Sequence, residues 1–288
     1  MDTIIQKHQL QLSRKEYRMK KVLLNEEMYY TPNFDYEQLK KRRKKFATNR
    51  INWFMNNSPK QDYQFPKDNI ADFANRKQYD YYQEDIKEEP IRKLFENRHS
   101  TLLNSFEGRW NREELFKLLT IAVGPNPRKR VYHGENLILR NYPSGGALFP
   151  VKLYAFVKDV EGVEPGVYYI SPQLKKLVKV ENKNEIMWDN LFPMTLYKLD
   201  ALSNSTEKLS FAVFMVVDFK ESFKKYGELS ERLAFFEAGH VGQNLQLISS
   251  YLNKKSLPVC GLFPEEIEKQ IGIQNSDTEY CVYGILFG

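Results

Sequence analysis

Residues 140–154 read Arg140-Asn141-Tyr142-Pro143-Ser144-Gly145-Gly146-Ala147-Leu148-Phe149-Pro150-Val151-Lys152-Leu153-Tyr154. A proline, a serine and two adjacent glycines predict a tight turn. Beyond it the residues alternate as in a strand, with Val151, Leu153, Ala155 and Val157 on one side and Lys152, Tyr154 and Phe156 on the other. Paired glycines let backbone come close to a ligand, because no Cβ stands in the way. Ser144 adds a hydroxyl that can donate and accept at the same place. Composition alone reads the stretch as a surface turn before a strand. The chain has no Gly-x-Gly-x-x-Gly and no Walker pattern, so neither a dinucleotide fold nor a P-loop is indicated.

Working outward from the turn, Pro90 suits the first turn of a helix whose apolar face is Ile91, Leu94 and Phe95. Asn111 and Glu114 form a capping-box start, and Leu115, Leu118, Leu119 and Ala122 follow at helical spacing until Gly124-Pro125-Asn126-Pro127 stops the helix. Arg128-Lys129-Arg130 is expected in the next loop. Val167–Ile170 and Lys176–Val180 read as a hairpin, residues 181–208 as a helical or irregular excursion able to roof a site, and Phe211–Val217 as a fully buried strand. A long helix from Glu228 to Leu252 carries Leu229, Leu233, Phe236, Leu245, Ile248 and Leu252 at spacings of three and four. Gly239 and Gly242 inside it cost about 1 kcal/mol each against alanine, which calls for close approach of another element or a ligand. His240 beside them is expected to be packed and hydrogen-bonded. Pro264-Glu265-Glu266 opens a short helix that Gly272 ends, and Tyr280–Phe287 is a final strand.

Composition narrows the class. With 288 residues the chain can bury one large core plus an appendage, and 14% aromatic residues argue against disorder. No run of about 18 apolar residues predicts a membrane span, and the N-terminus lacks a signal pattern, so a cytoplasmic location without membrane contact is expected. Cys260 and Cys281 have no metal-ligand spacing, so they are expected as buried thiols and no metal site is assigned. Part of the net charge of +6 sits in Lys40–Lys45, read as a solvated helix face, and no nucleic-acid fold surrounds it. Residues 1–89 are read as a polar, partly helical extension or docking arm, and residues 90–288 as the folded domain.

Pro143-Ser144-Gly145-Gly146-Ala147-Leu148-Phe149-Pro150 resembles the Pro-Ser-Gly-Gly-Ala-Leu-Tyr-Pro motif of SagB/McbC-type azoline dehydrogenases, peptide-modifying flavoenzymes of the nitroreductase superfamily. Glu237-Ala238-Gly239-His240-Val241-Gly242-Gln243-Asn244-Leu245 is similar to the same family's Glu-Ala-Gly-His-x-x-Gln-Asn-Leu helix. Lys225-Tyr226 resembles its catalytic pair. Arg98-His99-Ser100 resembles the Arg-x-Ser segment that holds the FMN phosphate in nitroreductases, and Val259-Cys260-Gly261 the segment passing the flavin ring. The resemblance covers roughly residues 90–288. It implies an α+β, three-layer nitroreductase-like fold, with a mixed or antiparallel central sheet flanked by helices. It further implies FMN as cofactor, a homodimer with flavin at the subunit interface, and oxidation of thiazolines or oxazolines to azoles in a precursor peptide, in company with a cyclodehydratase of YcaO type. Two departures stand out. Leu102 occupies the place of a second phosphate cation, a role Arg128-Lys129-Arg130 could fill, and the chain stops at Gly288 without a basic tail. An FMN reductase of nitro, quinone or dehydroamino-acid substrates, and a flavin-free scaffold subunit, remain open beside the dehydrogenase reading.

Overall fold

The structure is a computed structural model that describes residues 89–132, 135–180, 185–192 and 206–288. The expected N-terminal arm, the lysine-rich run and most of the excursion after residue 180 lie outside the described residues.

Helix α1 (Glu89–Asn97) has Pro90 in its first turn as expected, but Ile91 and Phe95 of its apolar face are exposed. A two-residue strand, β1 (Trp110–Asn111), runs into α2 (Arg112–Val123). The capping box is present. Asn111 Oδ1 accepts from Glu114 N–H at 2.9 Å, and Glu114 Oε2 accepts from Asn111 N–H at 3.0 Å. The next stretch corrects the sequence reading. Arg128-Lys129-Arg130 is not a loop but part of β2 (Pro125–Tyr132), paired antiparallel with β3 (Glu135–Arg140). Three consecutive cations hide the alternation of a solvated two-stranded ribbon.

The remaining elements build the body: β4 (Val151–Val157), β5 (Val160–Glu161), β6 (Gly166–Ser171), β7 (Lys176–Lys179), β8 (Phe211–Asp218), α3 (Lys220–Tyr226), α4 (Leu229–Tyr251), β9 (Ser256–Val259), α5 (Pro264–Ile271) and β10 (Glu279–Phe287). Six strands form one sheet in the order β7-β6-β4-β8-β10-β9, with every neighbouring pair antiparallel. The alternation read from β4 holds, but both faces are covered. Val151, Leu153, Ala155 and Val157 join a core with α2 and α4, whereas Tyr154 and Phe156 join a second core with Leu191, Phe192 and α5. Burial on both faces explains why Phe211–Val217 is apolar throughout. The result is the three-layer α+β arrangement, with the sheet between helices.

Helix α4 is where the sequence pattern misleads most. Leu229 and Phe236 are exposed, and the buried stripe is Ala234, Ala238, Val241 and Leu245. The helix lies so close to the sheet that a Cβ on Gly242 would stand 2.7 Å from Tyr283 Cε1 of β10. Small residues face a close neighbour, and the large ones are displaced to the outside. Gly239 has nothing within 4 Å, and His240 is exposed rather than packed. Helix α3 was not expected at all, because Phe223 is its only aliphatic or aromatic residue before Tyr226 and no period can be read from it. Gly227, at a φ of +53°, caps it by donating its N–H to Phe223 O.

Candidate active site

The Pro-Ser-Gly-Gly turn is strained. Gly146 has a φ of +63°, and two residues that bear a Cβ, Ala147 at +56° and Phe149 at +49°, share the left-handed region. Each such L-residue costs about 1–2 kcal/mol, so the surroundings must hold the turn in place. Ser144 does part of this: its Oγ accepts the Phe149 N–H at 2.9 Å. The hydroxyl expected to face a ligand therefore closes the turn instead, leaving the glycine backbone as the part that can approach one.

Lys225 and Tyr226, at the C-terminal end of α3, pack against this turn. A Cβ built on Gly146 would lie 2.9 Å from Lys225 Nζ and would overlap the Tyr226 hydroxyl. Residues about 80 positions apart in the chain thus meet around one glycine. Lys225 Nζ also lies 5.3 Å from the centroid of the Tyr226 ring. From α4, Leu233 packs on Gly145, with Cδ1 3.1 Å from where a Cβ would be.

Glu237, 1% exposed, accepts the Val151 N–H at 3.2 Å through Oε1. Burial pushes its carboxyl up to about 7, against the Ser144 hydroxyl, the Val151 N–H and the Arg140 charge, which act to lower it. Asn244 donates to Ala122 O and Asn141 O, both at 3.0 Å, tying a carbonyl at the end of α2 to the entry of the turn. Gly242 admits Tyr283. Sequence reasoning passed over Glu237 and Asn244 as individual residues. A carboxylate and an amide on the buried side of an amphipathic helix were the available signal.

The expected phosphate segment sits toward the other end of the same helix. Arg98 Nη1 donates to Gln246 Oε1 at 3.2 Å, one of the five N–H donors a guanidinium carries. His99 and Ser100 are exposed, with His99 Nδ1 2.8 Å from Asn97 O. Thr101 N–H donates to Ser256 O, which lays this segment beside β9. At the far end of β9, Val259 is buried opposite Gly284, Gly261 is half-buried and Cys260 is exposed, correcting the expectation that both thiols are buried; Cys281 is buried. The candidate residues thus form two groups on α4, one around Pro143–Gly146, Lys225 and Tyr226, the other around Arg98–Ser100 and the end of β9. Glu237 and Gln246 are nine residues apart, about 13 Å along the axis. Among the described residues no cluster of metal-ligating side chains occurs, and no helix is long and apolar enough to cross a membrane.

With fold and site in view, the signature of the Nitroreductase family matches residues 109–288. The chain belongs to the nitroreductase family. A Methanocaldococcus jannaschii protein named "Putative nitroreductase MJ1384" is 28% identical over 136 residues, which are 47% of this chain and 65% of that protein, so the match spans just under two thirds of the relative. The crystal structure of a like-named protein from Anabaena variabilis superposes with a TM-score of 0.51 at 19% identity, over 61% of this chain and 34% of its own. The E. coli microcin synthetase McbBCD complex with truncated pro-MccB17 bound contains a chain with a TM-score of 0.49 and 19% identity, covering 90% of this chain and 98% of that one.

Proposed function

We propose that this protein is an FMN-dependent dehydrogenase that oxidises thiazoline or oxazoline rings to thiazoles or oxazoles in a ribosomally made peptide, as in bacteriocin or cytolysin maturation. The observation that carries the reading is the meeting of Gly146 with Lys225 and Tyr226. A strained glycine turn is packed against one phenol and one ammonium. Converting an azoline to an azole removes a proton from one ring carbon and a hydride from its neighbour. FMN, when bound, supplies the hydride acceptor. Tyr226, as its phenolate, is assigned the proton of the ring carbon and becomes the neutral phenol, while the Lys225 ammonium stands beside that phenolate or polarises the ring nitrogen.

The residues present fit the cofactor. The space a Cβ would fill at Gly145 and Gly146 is taken by Leu233, Lys225 and Tyr226, so the turn from Pro143 and Ser144 sets these side chains close against its backbone as the proposed wall of the flavin site. Arg98 has N–H donors beyond the one given to Gln246, and Ser100 has an exposed hydroxyl. His99 and the Val259-Cys260-Gly261 segment complete the proposed flavin contacts, and Arg128 and Arg130 are exposed cations on β2 that compensate for Leu102.

The two groups of residues on α4 are proposed to complete each other across a homodimer. The outer face of α4 presents Phe235, Phe236, Gly239 and His240, and Ile91, Phe95, Phe116 and Ile121 are exposed on α1 and α2. Apolar surface shared by three helices marks an association face, and a second copy of this chain is the occupant proposed. Residues 1–89 are assigned to docking on that copy or on a cyclodehydratase of YcaO type.

The test is direct. The purified full chain should show flavin absorbance and should convert a ring-containing precursor peptide with a mass loss of two hydrogens per ring. Consumption of NAD(P)H with quinone or nitro acceptors, and no change in the peptide, would instead establish the reductase reading that family membership also supports. A colourless protein that stays inactive with added FMN would establish the scaffold reading.

A further inference from the structure

The strained turn is held from below by a residue that the proposed reaction does not use. Glu237 lies beneath the loop between Ser144 and Val151: its Oε1 accepts the Val151 N–H at 3.2 Å, and the Ser144 hydroxyl is near enough to act on its carboxyl. Its second oxygen, Oε2, is buried without a hydrogen-bond partner. Such a group is costly to retain. A glutamine of the same shape would accept the same N–H without a charge to desolvate, so packing alone does not explain a carboxyl here. The facing groups are Arg140 at the end of β3, which donates to Tyr142 Oη at 2.6 Å, Tyr142 itself, and Ser144. Burial raises the Glu237 carboxyl to about 7, so it exchanges its proton in the range where a protein works.

We propose that Glu237 is a positioning residue whose ionisation sets how firmly the Ser144–Val151 turn, and with it Gly146, is held against Lys225 and Tyr226. As a carboxylate it is a charge-assisted acceptor for Val151 N–H and draws the nearby Ser144 hydroxyl toward it, and it tightens the turn. Protonated, it accepts more weakly and carries a hydroxyl that has no acceptor at Oε2. The proposal makes the turn a two-state element read out at Gly146. The part that concerns flavin affinity rests on the FMN reading above; the movement of the turn does not.

The experiment uses the full chain labelled with ¹⁵N at valine and glycine, titrated without flavin from acidic to alkaline pH. The Val151 and Gly146 amide signals should shift together with one midpoint near neutrality, and both should be flat in Glu237→Gln. Unchanged signals from the other valines and glycines show that the variant is folded. Glu237→Asp, which shortens the reach but keeps the charge, should restore a titration at both amides. A Val151 signal that titrates while Gly146 does not would overturn the proposal, because the carboxyl then fails to reach the turn. Titration of both amides in Glu237→Gln would overturn it as well, by assigning the effect to another group. Added riboflavin, which has no titrating phosphate, should bind the parent about tenfold more tightly at alkaline than at acidic pH, a difference that Glu237→Gln abolishes. If the parent binds neither riboflavin nor FMN, the flavin reading fails while the amide result decides the role of Glu237 by itself.

Discussion

Tyr226 and Glu237 are the side chains on which the chemistry is most directly testable. Tyr226→Phe keeps the ring that packs near Gly146 and removes only the hydroxyl. Turnover of a ring-containing peptide should fall about 10²- to 10⁴-fold, the usual contribution of a positioned acid–base group, while bound flavin is retained. Single-turnover mass spectrometry and flavin absorbance check the two halves. Glu237→Gln makes a stability prediction with a defined sign. The native carboxyl binds its proton more tightly than the unfolded one, about 7 against an ordinary 4.5. Between these values the native state holds more protons, so native stability falls as pH rises from about 4.5 to 7 and stays low above it. The neutral glutamine has no such loss. The variant should match the parent at pH near 4.5 and exceed it by about 3 kcal/mol at pH near 8, as read by denaturant melts. A parent stability that rises through neutrality relative to the variant would refute the assignment. The Glu237 effect was not legible from sequence beyond the presence of the motif, because a carboxyl's proton affinity depends on what surrounds it and not on its neighbours in the chain.

Helix α4 carries two interior glycines whose substitutions should diverge. Gly→Ala inside a helix gains about 1 kcal/mol from backbone entropy alone. At Gly239 the added methyl meets nothing within 4 Å, so the isolated chain should gain that amount. At Gly242 it meets Tyr283 Cε1 at 2.7 Å, and overpacking of this kind costs about 1–3 kcal/mol. Gly242→Ala should therefore be net destabilised, with Tyr283→Ala in the same chain relieving the loss. Thermal melts of the three variants decide it. The sequence called for a close approach at both glycines; the structure supplies one at Gly242 and nothing within 4 Å at Gly239, where the proposed second copy would have to supply it.

That exposed face belongs to the whole molecule. Phe235 and Phe236 on α4 and the uncovered apolar residues on α1 and α2 should be buried by a second copy. Light scattering of the parent should return twice the chain mass. Phe235→Ser with Phe236→Ser should return the chain mass and should also lose bound flavin, because the two groups of candidate residues on α4 would no longer complete one another. A flavin-retaining monomer in the double variant would confine the site to one chain. Gly239→Ala provides a second reading of the same face, since a methyl that stabilises the isolated chain should weaken a closely packed dimer.

By itself the sequence determined what depends on near neighbours. The capping box at Asn111 and Glu114, the alternation of Val151–Val157, the buried run Phe211–Val217 and the stop at Gly272 all follow from hydrogen bonding and periodicity within a few residues. The tertiary structure alone decided that Arg128–Arg130 lies in a strand, that Lys220–Tyr226 forms a helix, and that Ala234 and Ala238, rather than Leu229 and Phe236, join Leu245 in facing the core from α4. It also decided that Gly146 meets Lys225 and Tyr226, and that Ser144 turns inward toward Phe149 and Glu237. These are contacts between segments that are mostly far apart in the chain. They are fixed by the close approach of α4 to a sheet whose strand order, β7-β6-β4-β8-β10-β9, no local pattern specifies.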